Sequence, residues 1–142
     1  MPANSPALDY NNARFKVKLY NFEAFIGPAA GELAPDFIVT DLNSGEDVKL
    51  SDFKGKWTVI ETGSSTCSMY TKNIARMKEV ADEFSDVEFL LIYVREAHPG
   101  ERLHQHKSVD EKKKAAALVG PRYGEHRRVL VDTFEGDFHR AY

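Results

Sequence analysis

A single cysteine, Cys67, is all that 142 residues offer to thiol chemistry, and one thiol closes no disulfide within the chain. Any redox cycle through it must be completed from outside, by a small thiol, another protein or a second copy of this chain. Long apolar runs are missing too. None approaches the ~20 residues of a membrane helix, and the first 30 residues carry no basic-then-apolar signal pattern, so no membrane partner and a cytoplasmic location are expected. Charge of one sign is also scarce: 19 basic against 22 acidic residues leave a formal −3, which gives no general attraction for nucleic acid. There is no glycine-rich phosphate loop, no serine nucleophile elbow and no internal repeat. What is present, 42% hydrophobic and 29% charged residues, is the composition of one globular domain able to bury a core without staples.

Taken in order, residues 1–9 are small and polar and should be loosely ordered. Phe15, Leu19, Phe22 and Ile26 stand at helical spacing, predicting a helix from Asn11 to Ile26 that Gly27-Pro28 ends. It would pack on the domain or on a partner, a second copy of the chain included. This makes 1–30 an N-terminal extension and 31–142 the domain proper. Phe37 to Thr40 and Val48 to Leu50, joined by the turn residues Asn43 to Glu46, read as a β-hairpin. Trp57 to Glu61 is a strand, and Ile74, Met77, Val80, Ala81 and Phe84 recur at three- and four-residue intervals, predicting an amphipathic helix over 68–84 with Met77 and Phe84 in the core. The nearly unbroken apolar run Val87 to Val94 is a central parallel strand covered on both faces, which closes a βαβ unit. Ser108-x-x-Glu111 has the form of a capping box for a helix that Gly120-Pro121 stops, with Lys112, Lys113 and Lys114 on its solvated face. Val129 to Val131 is a further strand, and Phe138 to Tyr142 begins another. The fold class is therefore α/β, a mixed central sheet flanked by helices.

The chemistry gathers at Gly63-Ser-Ser-Thr-Cys67, between the strand at 57 and the helix at 68. A thiol in the first turn of a helix lies among unpaired N–H groups and the positive end of the dipole, which favour thiolate. The competing reading is a small buried apolar residue, since free cysteine is often buried. Arg95 to Gly100 form a polar cluster at the carboxyl end of the central strand, where open α/β sheets bind ligands. His98, His104 and His106 fall within nine positions, but no thiolate or carboxylate pair stands nearby at ligand spacing, so no metal is expected. They are surface histidines, or one or two of them exchange a proton near Cys67.

Ala34-Pro-Asp-Phe37, Val48 to Ser51, Gly55-Lys56 and the strand–turn–Cys67 unit together resemble the redoxin branch of the thioredoxin fold, which includes peroxiredoxins, over residues 31–142. A closer resemblance is to iodothyronine deiodinases and their microbial relatives. Gly63 to Cys67 stands where that family has Gly-Ser-Cys-Thr-selenocysteine, and Leu91 to Pro99 is similar to its strand ending in Glu-Ala-His. Gln105 to Ser108, Val131 to Thr133 and Ala141-Tyr142 match further landmarks in the same order. The resemblance implies Cys67 as nucleophile, Ser64 and Thr66 as hydrogen-bonding neighbours of its sulfur, and Glu96 with His98 as a proton-relay pair. It further implies His106 meeting the phenolic end of a substrate and Tyr142 in the pocket wall, with no cofactor beyond an external thiol of the thioredoxin or glutathione type. Ser65 replaces the family's nearby cysteine, and the chain stops short of the family's closing strands, as a trimmed domain would.

Three functions follow. The first is reductive deiodination of an iodinated aromatic by Cys67 thiolate, with an external thiol as reductant. The second is a one-cysteine thiol peroxidase. Against the peroxiredoxin pattern Pro-x-x-x-Thr-x-x-Cys, Ile60 and Ser64 occupy the proline and threonine positions, and the arginine is left open among Arg95, Arg127 and Arg128. The third is a non-catalytic thioredoxin-fold binding module.

Overall fold

The computed structural model describes residues 10–17 and 27–142. Five strands form one sheet in the order β2-β1-β5-β4-β3. β1 (Ile38–Asp41) and β2 (Asp47–Lys49) are the expected hairpin, antiparallel with Val39 opposite Val48. β3 (Thr58–Gly63), β4 (Glu88–Tyr93) and β5 (Arg128–Val131) run parallel, and β1 joins β5 antiparallel, so the sheet is mixed. β4 lies between β3 and β5 with its apolar run divided between two cores. Leu90, Ile92 and Val94 pack with Phe37, Val39, Phe53 and Phe138 on one face. Leu91 and Tyr93 pack with Tyr70, Ile74, Ala116 and Val119 on the other. Each fully buried Leu or Ile contributes about 1.5–3 kcal/mol, which is why this strand carries no polar side.

α1 (Ser68–Glu83) lies on the second face with Tyr70 and Ile74 buried. Its far end does not follow the expected pattern: Val80 is 38% and Phe84 48% exposed, because only the first turns lie over the sheet and β3 is an edge strand. Gly63 permits the tight start, since a Cβ there would sit 2.6 Å from the Tyr70 ring.

α2 (Val109–Ala116) begins at Ser108, whose hydroxyl accepts from Glu111 N. Lys112 corrects the reading of a solvated lysine face. It is 0% exposed, because it shares the inner face of α2 with Ala115 and Ala116 and its ammonium donates to Thr133 O at 2.7 Å. Gly120-Pro121 does not stop the helical path either; it falls in the first turn of α3 (Val119–Tyr123), where proline's missing N–H would have no partner anyway.

The last segment is a helix, α4 (Asp137–Ala141), rather than the start of a strand. Asp132 Oδ1 and Oδ2 accept from Phe138 N and His139 N, and Thr133 Oγ1 from Asp137 N, which satisfies the N–H groups of its first turn. Of the helix expected over 11–26, residues 11–16 are turn, bend and irregular chain, and 18–26 lie outside the described residues. No described helix is long and apolar enough to cross a membrane.

Candidate active site

The parallel register pairs Gly63 with Tyr93, so β3 and β4 end side by side and Val94 N donates to Gly63 O at 3.1 Å. Two loops therefore emerge together at the carboxyl end of the sheet, 64–67 carrying the cysteine and 95–106 carrying the histidines. Cys67 is the N-cap residue of α1, with an extended backbone (φ −88°, ψ 103°). No acidic residue in the first turn of α1 offsets the positive end of that helix. The thiol is free and partly buried at the rim of the core that holds Tyr70 and Ile74.

Glu96 ties the loops together. Its residue is 1% exposed, and its carboxylate accepts four hydrogen bonds. Thr66 donates to Oε2 twice, from N at 3.0 Å and from Oγ1 at 2.7 Å. Tyr93 OH and His106 Nε2, the latter at 3.2 Å, reach Oε1. Burial opposes ionisation, but the bonds from His106, Tyr93 and Thr66 outweigh it and hold the carboxyl below its ordinary value. Tyr93 also accepts from Ser65 N at 3.0 Å, and burial next to Glu96 pushes its phenol well above the usual range.

Of the residues singled out in the sequence, Cys67, Ser64, Thr66, Glu96, His98 and His106 come together here. Their contacts differ from the expected ones. The imidazole bonded to Glu96 belongs to His106, and His98 joins the carboxylate only through Thr66. His98 N donates to Thr66 Oγ1 at 3.0 Å, and its Nδ1 lies 3.2 Å from Thr66 O. A carbonyl only accepts, so Nδ1 carries a proton and Nε2 is the position left for exchange. Ser64 Oγ accepts from Ala97 N and Thr66 Oγ1 donates to Glu96, so these hydroxyls bond the neighbouring loop rather than the sulfur. His106 is 4% exposed behind Glu96, with Nδ1 buried and unpartnered; of the two imidazoles bonded into this network, that of His98 is the exposed one. Tyr142 does not join the group: it stacks on Phe138 in the opposite core and bonds Pro35 O, because α4 lies across the sheet from Cys67.

Several participants were not foreseen. Gln105 clamps Glu96 from behind, accepting from Glu96 N at 2.9 Å and donating to Glu96 O and Asn12 O at 3.0 Å each. Tyr10 accepts from Arg95 N through its hydroxyl, and Phe15 stacks on His98 at 4.4 Å between ring centres. The segment 10–15 is thus a strap over the histidine loop. Tyr93 was legible in principle: alternation along β4 puts it on the Cys67 face, and the strand ends there. An open cleft of about 540 Å³ borders the site, lined by residues including Thr66, His98, Arg102, Arg122 and Tyr123. Arginines 95, 127 and 128 are all engaged elsewhere, by Tyr10 O, by Glu61 and Glu125, and by Asp41. Among the described residues no group of three or more His, Cys, Asp or Glu could hold a metal ion.

Residues 7–142 match the iodothyronine deiodinase family profile. A chloroplastic protein of Arabidopsis thaliana carrying the name glutathione peroxidase 7 is 30% identical over 92 residues, 64% of this chain and 39% of that one. The type II iodothyronine deiodinase of Fundulus heteroclitus is 32% identical over 63 residues, 42% of this chain and 24% of that one. The chain thus spans well under half the length of these relatives. In structure it resembles the thioredoxin domain of a thiol-disulfide oxidoreductase from Bacteroides vulgatus, with TM-score 0.59 and 18% identity over 81% of this chain and 71% of that one. The fold is thioredoxin-like.

Proposed function

This chain belongs to the iodothyronine deiodinase family, and from that membership and the site geometry we propose that it is a thiol-dependent oxidoreductase acting by reductive deiodination of an iodinated aromatic. The observation that carries this reading is the N-cap Cys67 joined through Thr66 to both Glu96 and His98. Cys67 thiolate attacks iodine on the ring. The S–I bond forms as the C–I bond breaks, and the electron pair left on the ring carbon takes a proton. His98 is the proton donor, through Nε2, while Glu96 fixes the Thr66 that holds the imidazole. His106 and Gln105 act through Glu96 and are positioning residues.

The sulfenyl iodide cannot be resolved within a chain that has one cysteine. One external thiol displaces iodide to give a mixed disulfide, and a second releases Cys67 and leaves as the disulfide product. Iodide release from an iodothyronine with dithiothreitol, compared between wild type and Cys67→Ala, tests this directly.

The glutathione peroxidase relative supports a second reading, in which Cys67 thiolate attacks peroxide, releases water and becomes a sulfenic acid that external thiol recycles. Arginines 95, 127 and 128 are held by other groups, which favours the first reading. Mass spectrometry after brief peroxide treatment separates the two: an unmodified Cys67 removes the peroxidase.

A further inference from the structure

With Cys67 taken as the reacting thiol, as proposed above, the cleft beside it points to the molecule it takes. Ser65 and Thr66, the two residues before the cysteine, line it together with His98. Arg102, from the loop after β4, and Arg122, from α3, also line it and are exposed. Neither guanidinium has an acidic partner among the described residues, whereas Arg127, Arg128 and Arg140 are each paired with a carboxylate. Glu101 is the one carboxylate in the lining, so two cations face one anion. A guanidinium offers a planar fork of donors that matches a carboxylate, and it keeps its charge at any working pH. Tyr123, 38% exposed with its hydroxyl 3.4 Å from Ser65 O, adds an aromatic surface.

We propose that this cleft is a carboxylate-binding subsite in which Arg102 and Arg122 hold the acid group of a small molecule whose other end reaches Cys67. Two sources share this chemistry: an aromatic amino acid as substrate, and a carboxylate-bearing thiol as reductant. The carboxylate bonds of Glu96 run to Thr66, Tyr93 and His106 and not to Arg102 or Arg122, so replacing these two leaves the Glu96 network intact.

Because Cys67 is the sole thiol, its alkylation reads the field of the cleft without any turnover. Iodoacetate and iodoacetamide both form a carbon–sulfur bond and expel iodide; only the first bears a carboxylate. At low salt, the ratio of their rates at Cys67 should exceed that of N-acetylcysteine amide by about fivefold, and it should fall to within about twofold in Arg102→Gln/Arg122→Gln or at 0.5 M salt. Glu101→Gln should raise it. S-methylglutathione and 3-iodotyrosine, each at millimolar concentration, distinguish the sources: the true one slows iodoacetate in wild type and not in the double variant.

A ratio equal in wild type and double variant, protection by neither compound, or a thiol inert to both reagents overturns the proposal. Loss of thiol-dependent turnover is a separate readout. A chain that alkylates as expected yet turns nothing over refutes the proposed catalysis and leaves the subsite standing.

Discussion

Replacing Glu96 by glutamine exchanges one carboxylate oxygen for an NH2 group and keeps the shape, which isolates the carboxylate's part in holding the two loops. Oε2 receives two donors from Thr66, and Oε1 receives Tyr93 OH and His106 Nε2. Whichever side the amide nitrogen takes, two donors lose their acceptor. On the Oε1 side Tyr93 can turn to Ser65 Oγ, 3.2 Å away, but the His106 N–H stays orphaned. An unsatisfied buried donor costs about 1–3 kcal/mol, and weakening the remaining bonds from charged to neutral acceptor adds about 1 kcal/mol. The total is about 3 kcal/mol, or roughly 10 °C in Tm for a domain of this size. Urea unfolding at pH 7 of wild type and Glu96→Gln measures it. The pH dependence supplies a second check with a definite sign. Glu96 is held below its ordinary value, so its contribution is present above about 4.3, the unfolded value, and is lost as pH falls through the folded value. The gap between wild type and variant should therefore close in acid. A loss below about 1 kcal/mol at pH 7, or a gap that widens in acid, would refute the network described here.

Other perturbations separate positioning from chemistry. His98→Gln should lower thiol-dependent turnover about 10²–10⁴-fold, the usual contribution of a general acid, with little change in Tm because the ring is exposed. A large drop in Tm with unchanged turnover would remove His98 from the reaction. Burial pushes Lys112 down to about 8 against its ordinary 10.4, so the unfolded chain binds more protons between those values and folding strengthens as pH rises through them. The stability of wild type relative to Lys112→Met should accordingly rise by on the order of 3 kcal/mol between pH 8 and 10.4, and a flat difference would show that the ammonium is not desolvated. Gly63→Ala places a methyl carbon 2.6 Å from the Tyr70 ring, whose hydroxyl bonds Glu125 at 2.8 Å. A loss of about 1–3 kcal/mol is expected by thermal melting, and an unchanged Tm would show that Tyr70 yields freely.

The parts of this fold that the sequence shows plainly are those in which one physical demand dominates. The apolar run of β4 needs cover on both faces, and the junction of β3 and α1 puts Cys67 at a helix start whatever surrounds it. The site partners are less plain because a loop decides them. The family resemblance implies a direct Glu96–His98 pair, yet the chain from 95 to 106 folds back and brings a residue ten positions on against the carboxylate. Lys112 looked solvated because it begins a run of three lysines; only the helix phase, with Ala115 and Ala116, shows that it points inward. Phe138 and Tyr142 are four apart, a helical spacing that an apolar start to a strand obscured. Nothing in residues 10–15 announces a strap, because its bonds run to residues such as Arg95, Gln105 and Phe134 far along the chain.

Central to the account is that Cys67 sulfur, and no other group, carries the redox step. Iodide released from an iodothyronine in dithiothreitol, with peroxide consumption followed in parallel, tests this most directly when wild type and Cys67→Ala are compared side by side. Wild type should release iodide, and the variant none above the thiol-only background. Equal release by both proteins, or none by either, would contradict it.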